Sequence, residues 1–249
     1  MAERSAHVAV SLSCVDIMAA LYFGVMKFAG SPSEENCGDA FVLSKAHAAM
    51  GYYAVLTRAG LISRDDLKNY ARDNSFLAEH PLANKIPGVP FAGGSLGHGC
   101  AVAAGIAKGF KLRGKDARVF VLMGDGECDE GTVWETAAAA RAQGLDNLTA
   151  IVDRNDLQAC GACHDISKGV SLPDCWRAFG WDVHELDGHD FDALQKAFSA
   201  PNKTGAPRAM ICRTIKGKGV SFMEGNLEWH YRPVRGADRE AALRCLEDA

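Results

Sequence analysis

The stretch from Gly124 to Gly161 constrains this chain more than any other. An apolar strand, Val119-Phe120-Val121-Leu122-Met123, runs into Gly124-Asp125-Gly126-Glu127. An alanine-rich helical run follows, then a second apolar strand from Leu148 to Val152 that leads into Asp153-Arg154-Asn155-Asp156-Leu157-Gln158. Strand, helix and strand of this length form a right-handed βαβ unit. Asp125 and Asn155 then emerge at the same carboxyl edge of a parallel sheet, the edge where open α/β sheets bind ligands. The expected occupants are a divalent cation and a diphosphate. Asp125 and Asn155 offer hard oxygens, and Leu157 adds a backbone carbonyl outside the strand ladder. Magnesium takes six oxygens, commonly a few from protein and the rest from phosphate and water. Gly126 lets the backbone approach a phosphate with no Cβ in the way. A Gly-Asp-Gly by itself reads as a tight turn; its pairing with Asn155 on the next strand favours the metal reading.

The flanking sequence repeats the alternation of strand and helix. Ser13 to Phe28 has helical apolar spacing, broken by Gly30-Ser31-Pro32-Ser33. Phe41 to Ser44 reads as a buried strand, and Ala48 to Ala59 as a helix. Leu61 to Leu67 opens another helix, with Ser63 as its N-cap and Asp66 three residues on. An irregular stretch from Glu79 ends in Gly93-Gly94-Ser95-Leu96-Gly97-His98-Gly99, followed by a small-residue helix from Cys100 to Leu112. Beyond the βαβ unit come a loop (160–173), a helix (175–179), a strand (181–186), a helix (190–199), a strand (208–215) and a short terminal helix (239–246). This pattern predicts a doubly wound, mostly parallel α/β sheet with helices on both faces, as one domain over residues 1–249.

A net charge of −4 argues against nucleic acid as a partner, since phosphate backbones select basic surfaces. No membrane span and no signal peptide are expected, and the expected location is the cytoplasm. The nine cysteines are then read as thiols. Cys160-Gly161-Ala162-Cys163-His164 matches a haem-attachment pattern, but without export it reads as a loop containing two cysteines.

Gly124-Asp125-Gly126 followed by Val152-Asp153-Arg154-Asn155 resembles the thiamine-diphosphate motif. Asp129 to Glu135 and Leu145-Asp146-Asn147-Leu148 are similar to transketolases specifically. Ser11-Leu12-Ser13 with Asp16-Ile17, Leu43 to His47, His80-Pro81 and Gly94 to Gly99 fall in the order of the transketolase amino-terminal half, so the likeness covers almost the whole chain.

The resemblance implies thiamine diphosphate and Mg2+ as cofactors, with Ca2+ or Mn2+ as substitutes. It implies Asp125, Asn155 and the Leu157 carbonyl as metal ligands and Gly126 at the diphosphate. Gly94, Ser95 and Leu96 would line the aminopyrimidine. His47 and His80 match histidines beside the reactive carbon and the substrate, and His7 one that meets the ketose end. Glu130 matches an acidic residue at the subunit interface, and His230 a histidine near the diphosphate. Ketol transfer moves protons to and from sugar hydroxyls, a task within histidine's range. Departures from the family pattern gather on the substrate side: Ser5-Ala6-His7-Val8-Ala9, Ala46, His98 and Arg154. A full transketolase carries further domains, one of which supplies the glutamate that activates the cofactor. The expectation is therefore one subunit of a split transketolase-like enzyme, in a heterotetramer with a separate carboxyl-terminal partner chain. Its substrates would be sugars or sugar phosphates. The alternatives are another thiamine-diphosphate carboligase, with a pyruvate-type donor or a modified sugar, and a non-catalytic module that binds cofactor or partner.

Overall fold

The computed structural model describes residues 7–27 and 38–247. Ser5, Ala6, Phe28 and the break Gly30-Ser31-Pro32-Ser33 lie outside the described residues. Five strands form one parallel sheet in the order β1-β2-β3-β5-β4: β1 Ala40–Leu43, β2 Val119–Gly124, β3 Leu148–Arg154, β4 Asp182–Asp187 and β5 Arg208–Arg213. The three central strands are near-continuous apolar runs because both of their faces are covered. At one edge β4 reads Asp-Val-His-Glu-Leu-Asp and is partly exposed; its charges discourage further strand pairing.

The helices divide between the faces. On one face, α1 (Val8–Ala20), α2 (Ala49–Arg58) and α7 (Phe191–Ser199) pack on Phe120, Leu122, Ile151, Met210 and Cys212. On the other, α3 (His98–Leu112), α4 (Gly131–Ala142) and α6 (Leu172–Ala178) cover Val121, Met123, Ala150, Val152 and Ile211. Chain direction explains much of the split. The helices that lead directly into β2 and β3, α3 and α4, lie on one side of the sheet, as right-handed crossovers advancing in one direction require, whereas α2, which leaves β1, packs with α1 on the other. The return from β4 to β5 runs the other way, so α7 falls on the opposite side.

Several boundaries differ from the sequence reading. α1 begins at Val8 rather than Ser13 and continues into one widened turn, Leu21–Val25, where the Met26 N–H reaches back to the Leu21 carbonyl. The run Val8–Val25 is, by length and composition, long and apolar enough to cross a membrane, against the expectation that none would be. In the fold it packs on α2 and α7, with Ile17, Met18 and Leu21 fully buried, as a core helix is.

The Ser63 cap forms, with the Asp66 N–H donating to Ser63 Oγ (3.1 Å) and the Ser63 N–H to Asp66 Oδ2 (3.0 Å). It starts only one tight turn, Asp66–Asn69. Burial of Tyr70 and Leu77 turns the chain inward there, and Ala71 takes a left-handed conformation (φ 53°) that ends the helix. The expected loop 160–173 contains the five-residue helix α5 (Cys163–Ser167) and the start of α6, with Pro173 in the first turn of α6, where no N–H is needed. The terminal helix α8 spans Gly236–Glu247.

Candidate active site

The carboxyl ends of β1, β2, β3 and β5 converge on one cavity of about 280 Å3. Gly124 pairs with Asp153 in register, so Asp125 and Asn155 leave adjacent strands side by side. Asp125 is 5% exposed. Its Oδ1 accepts from the Gly126 N–H (2.8 Å) and its Oδ2 from the Asp156 N–H (2.6 Å). Burial, and then the neighbouring Asp153 charge, still push its carboxyl up to about 6. Asn155 is fixed at both ends of its amide. Its Nδ2 donates to Asp153 Oδ2 (3.3 Å), and its Oδ1 accepts from the Leu157 N–H (3.2 Å). The Leu157 carbonyl already serves a cation, accepting from the Lys216 ammonium at 2.8 Å.

One carboxylate, one amide oxygen and one carbonyl form an all-oxygen set suited to a hard cation. Among the described residues no group of three His, Cys, Asp or Glu could hold a metal, so a metal here relies on that mixed set. The set therefore fits magnesium bound partly through phosphate and water.

Three histidines form the opposite wall. His7 precedes α1 in a left-handed conformation (φ 69°), with its N–H donating to the His230 carbonyl (3.2 Å). Its ring meets those of His47 and His230 edge-on at 5.4 and 5.3 Å, while His47 stacks on His230 at 5.8 Å. Burial lowers the pKa of all three. Lys45 adds to the effect at His47, and Lys216 brings His230 to about 3. All three rings are therefore neutral near pH 7, able to give or take one hydrogen bond at each nitrogen. His7 Nδ1 is buried with no partner, a polar atom suited to a ligand's hydroxyl.

The cavity gathers His7, His47, His80, Gly94, Leu96, Asp125, Gly126, Asn155, Leu157 and His230. It does not gather Ser95, which is exposed beside it, or Glu130. Glu130 is exposed at the start of α4, against the outer side of the Gly97 turn. Of the departures, Ala46 is accommodated because residue 93 is glycine; a Cβ there would stand 2.4 Å from that of Ala46. Arg154 turns away to pair with Asp156 (3.0 Å).

Cys160 lines the cavity rim, whereas Cys163 faces a second cavity of about 600 Å3 between α4, α5 and α6 that shares only Asp125 with the first. Burial pushes the Cys163 thiol up to about 12, far from a reactive thiolate. Apart from Asp125, most charged groups in that second cavity have partners: Arg154 pairs with Asp156, Arg177 with Asp174 and Glu185, and Asp129 accepts from Gln158 and Ser167.

Sequence reasoning missed the groups that hold the site together. Asp153 is fully buried, paired with the Lys45 ammonium, and accepts from Ser13 Oγ (2.5 Å) and Thr214 Oγ1. Lys216 bridges Leu157 to His230 Nδ1 (3.0 Å), and burial brings its pKa down to about 8. Tyr231 stands 60% exposed at the mouth, its ring 4.6 Å from that of His230 and 5.2 Å from that of His7.

Known proteins share this fold and much of this sequence. The family model described as "Transketolase, thiamine diphosphate binding domain" matches residues 1–245. An apulose-4-phosphate transketolase subunit from Actinobacillus succinogenes is 40% identical over 242 residues, covering 97% of this chain and 88% of that protein. The 6-deoxy-6-sulfo-D-fructose transketolase subunit SqwG of a Clostridium species is 37% identical, with 97% and 88% covered. The crystal structure of Campylobacter jejuni transketolase superimposes with a TM-score of 0.90 at 27% identity, over 99% of this chain but 40% of that one. With its fold and nearly its whole length matched, the chain belongs to the transketolase family, as the thiamine diphosphate-binding part of a thiamine-dependent transferase.

Proposed function

We propose that this chain is the cofactor-binding subunit of a split transketolase-type enzyme. The enzyme moves a two-carbon ketol unit from a ketose, or ketose phosphate, to an aldose, with thiamine diphosphate and Mg2+. One observation carries the reading: the Asp125, Asn155 and Leu157 oxygens share a cavity with three neutral histidines. Asp125, Asn155 and the Leu157 carbonyl would hold the metal, with Gly126 and Lys216 at the diphosphate. Gly94, Ser95 and Leu96 would meet the aminopyrimidine. Bound there, thiamine diphosphate supplies the stabilised carbanion that ketol transfer requires. His7 and His47 would orient the sugar hydroxyls and carry their protons, as neutral imidazoles can do in both directions, with His80 beside the substrate and His230 near the diphosphate.

A separate partner chain would close the site and complete a heterotetramer, with Glu130 at the shared interface. Relatives that are themselves named as transketolase subunits, and are 88% covered by this chain, support that arrangement. The same relatives favour a ketose bearing a phosphate or another anionic group.

The test combines the chain, its partner, thiamine diphosphate, Mg2+ and a panel of ketose donors, with products read by mass spectrometry. Transfer from at least one ketose is expected, and none from pyruvate. Activity that survives Asp125→Ala overturns the reading, as does full turnover by the chain without a partner.

A further inference from the structure

Glu127 is a buried carboxylate, in the wall of the cavity, that the proposed chemistry does not use. It is 2% exposed, in the tight turn Gly126–Asp129 that follows Asp125, and no ammonium is paired with it among the described residues. Instead it collects donors from three elements. Oε1 accepts from Ser44 Oγ at the end of β1 and from the Gly97 N–H (2.8 Å) at the start of α3. Oε2 accepts from the Gly124 N–H (3.1 Å) at the end of β2. Such charge-assisted bonds are roughly twice as strong as neutral ones, and each donor left buried without an acceptor is costly.

The segment it grips has no slack of its own. Gly97 takes φ 81°, and a Cβ there would meet Thr132 Oγ1 at 2.4 Å and the Glu130 Cβ at 2.8 Å. A Cβ on Gly99 would stand 2.7 Å from the Ser44 Cα. Residues 97–99 are thus wedged between α4 and the end of β1, with the Glu127 carboxylate bonded to Gly97 within the wedge and to Ser44 on its β1 side. Directly before them, Gly94 and Leu96 line the cavity. The diphosphate side of the cavity meets Glu127 only through Gly124 and has further fastenings in Asp125, Asp153 and Asn155.

We propose that Glu127 is a positioning residue: by tying Ser44, Gly97 and Gly124 together it sets the turn Gly94–Leu96, so the heterocyclic half of the cofactor depends on it more than the diphosphate half, which has fastenings of its own. The inference rests on the thiamine-diphosphate reading above. In Glu127→Gln only one amide oxygen remains to accept, and the new N–H2 group faces a donor.

The test is calorimetry on the assembled enzyme with saturating Mg2+, titrated with thiamine diphosphate and separately with inorganic diphosphate. Glu127→Gln is expected to weaken thiamine diphosphate about tenfold and inorganic diphosphate less than twofold. Ser44→Ala removes one donor only; it should weaken thiamine diphosphate about threefold and leave inorganic diphosphate unchanged, which keeps the test open if the glutamine variant folds poorly. Equal weakening of both ligands, or of neither, in a variant with a normal thermal melt overturns the inference. If the unaltered enzyme binds no thiamine diphosphate, the reading of the cofactor fails instead, a distinct result.

Discussion

Asp125 and Asp153 stand at the ends of neighbouring strands, both buried, yet their surroundings treat them in opposite ways. Burial alone would raise the Asp153 carboxyl, but the Lys45 ammonium, Ser13 and Thr214 outweigh it and hold it below the usual carboxylate range. Asp125 has two backbone N–H donors and no ammonium of its own, so burial and the Asp153 charge lift it to about 6. The difference separates a carboxylate balanced within the chain from one that is not. Asp153 is balanced from within the chain, with its charge spent on fastening α1, β1 and the exit of β5. Asp125 is left with negative charge that its own neighbourhood does not neutralise, which suits a residue proposed to bind Mg2+.

The comparison breaks most visibly at Asp153. Asp153→Leu leaves the Lys45 ammonium buried and unpaired, an uncompensated charge that costs about 3–5 kcal/mol. Lys45→Met should cost a similar amount by isolating Asp153. The double variant Lys45→Met with Asp153→Leu is expected to recover much of the loss, since replacing a buried pair with apolar groups is far cheaper than breaking it. Urea unfolding of the four proteins gives the coupling directly. Additive single losses would mean that the two groups do not act as a pair.

Asp125→Asn is the converse. Without cofactor, stability should stay within about 1 kcal/mol, because a lost hydrogen bond is offset by removal of a buried charge. With Mg2+ and thiamine diphosphate at about 100 times Kd, the unaltered chain with its partner should gain about 2.7 kcal/mol, and the variant almost none. A thermal shift that persists in Asp125→Asn would remove this residue from the metal site.

What the sequence made legible follows the same division. β2 and β3 were readable because strands covered on both faces must be continuous apolar runs, and Asp125 and Asn155 because strand ends fix where side chains emerge. The partners of Asp153 were not readable, since Ser13 lies 140 residues away and Thr214 61. Lys216 reaches Leu157 across 59 residues for the same reason, and no local pattern marks a lysine that will be buried. The Ser63 cap was legible, but not the aborted helix after it, because burial of Tyr70 and Leu77 overrode local preference. Glu130 and Ser95 came from family likeness, and the isolated chain leaves both outside the cavity.

The smallest expected effect is a contest of signs under acid. His230 titrates at about 3 in the folded chain, and His7 and His47 are also lowered, against about 6.5 when unfolded. Below pH 6.5 the unfolded chain therefore binds protons that the folded one refuses, and stability falls as pH drops. Asp125 opposes this. Its folded value of about 6 lies above the unfolded value near 3.9, so the folded chain takes up the proton first and gains stability between those values. Asp153, with its folded value lowered, loses stability only as pH falls below the ordinary carboxylate range, outside this window. Melts in chelator from pH 7.5 to 5 should show Tm falling by a few degrees. His230→Gln should flatten that slope by removing one of three resisting groups, and Asp125→Asn should steepen it by removing the group that favours the acid side. If Asp125→Asn leaves the slope unchanged, its carboxyl is no more perturbed than that of Asp153, and the contrast between the two aspartates is lost.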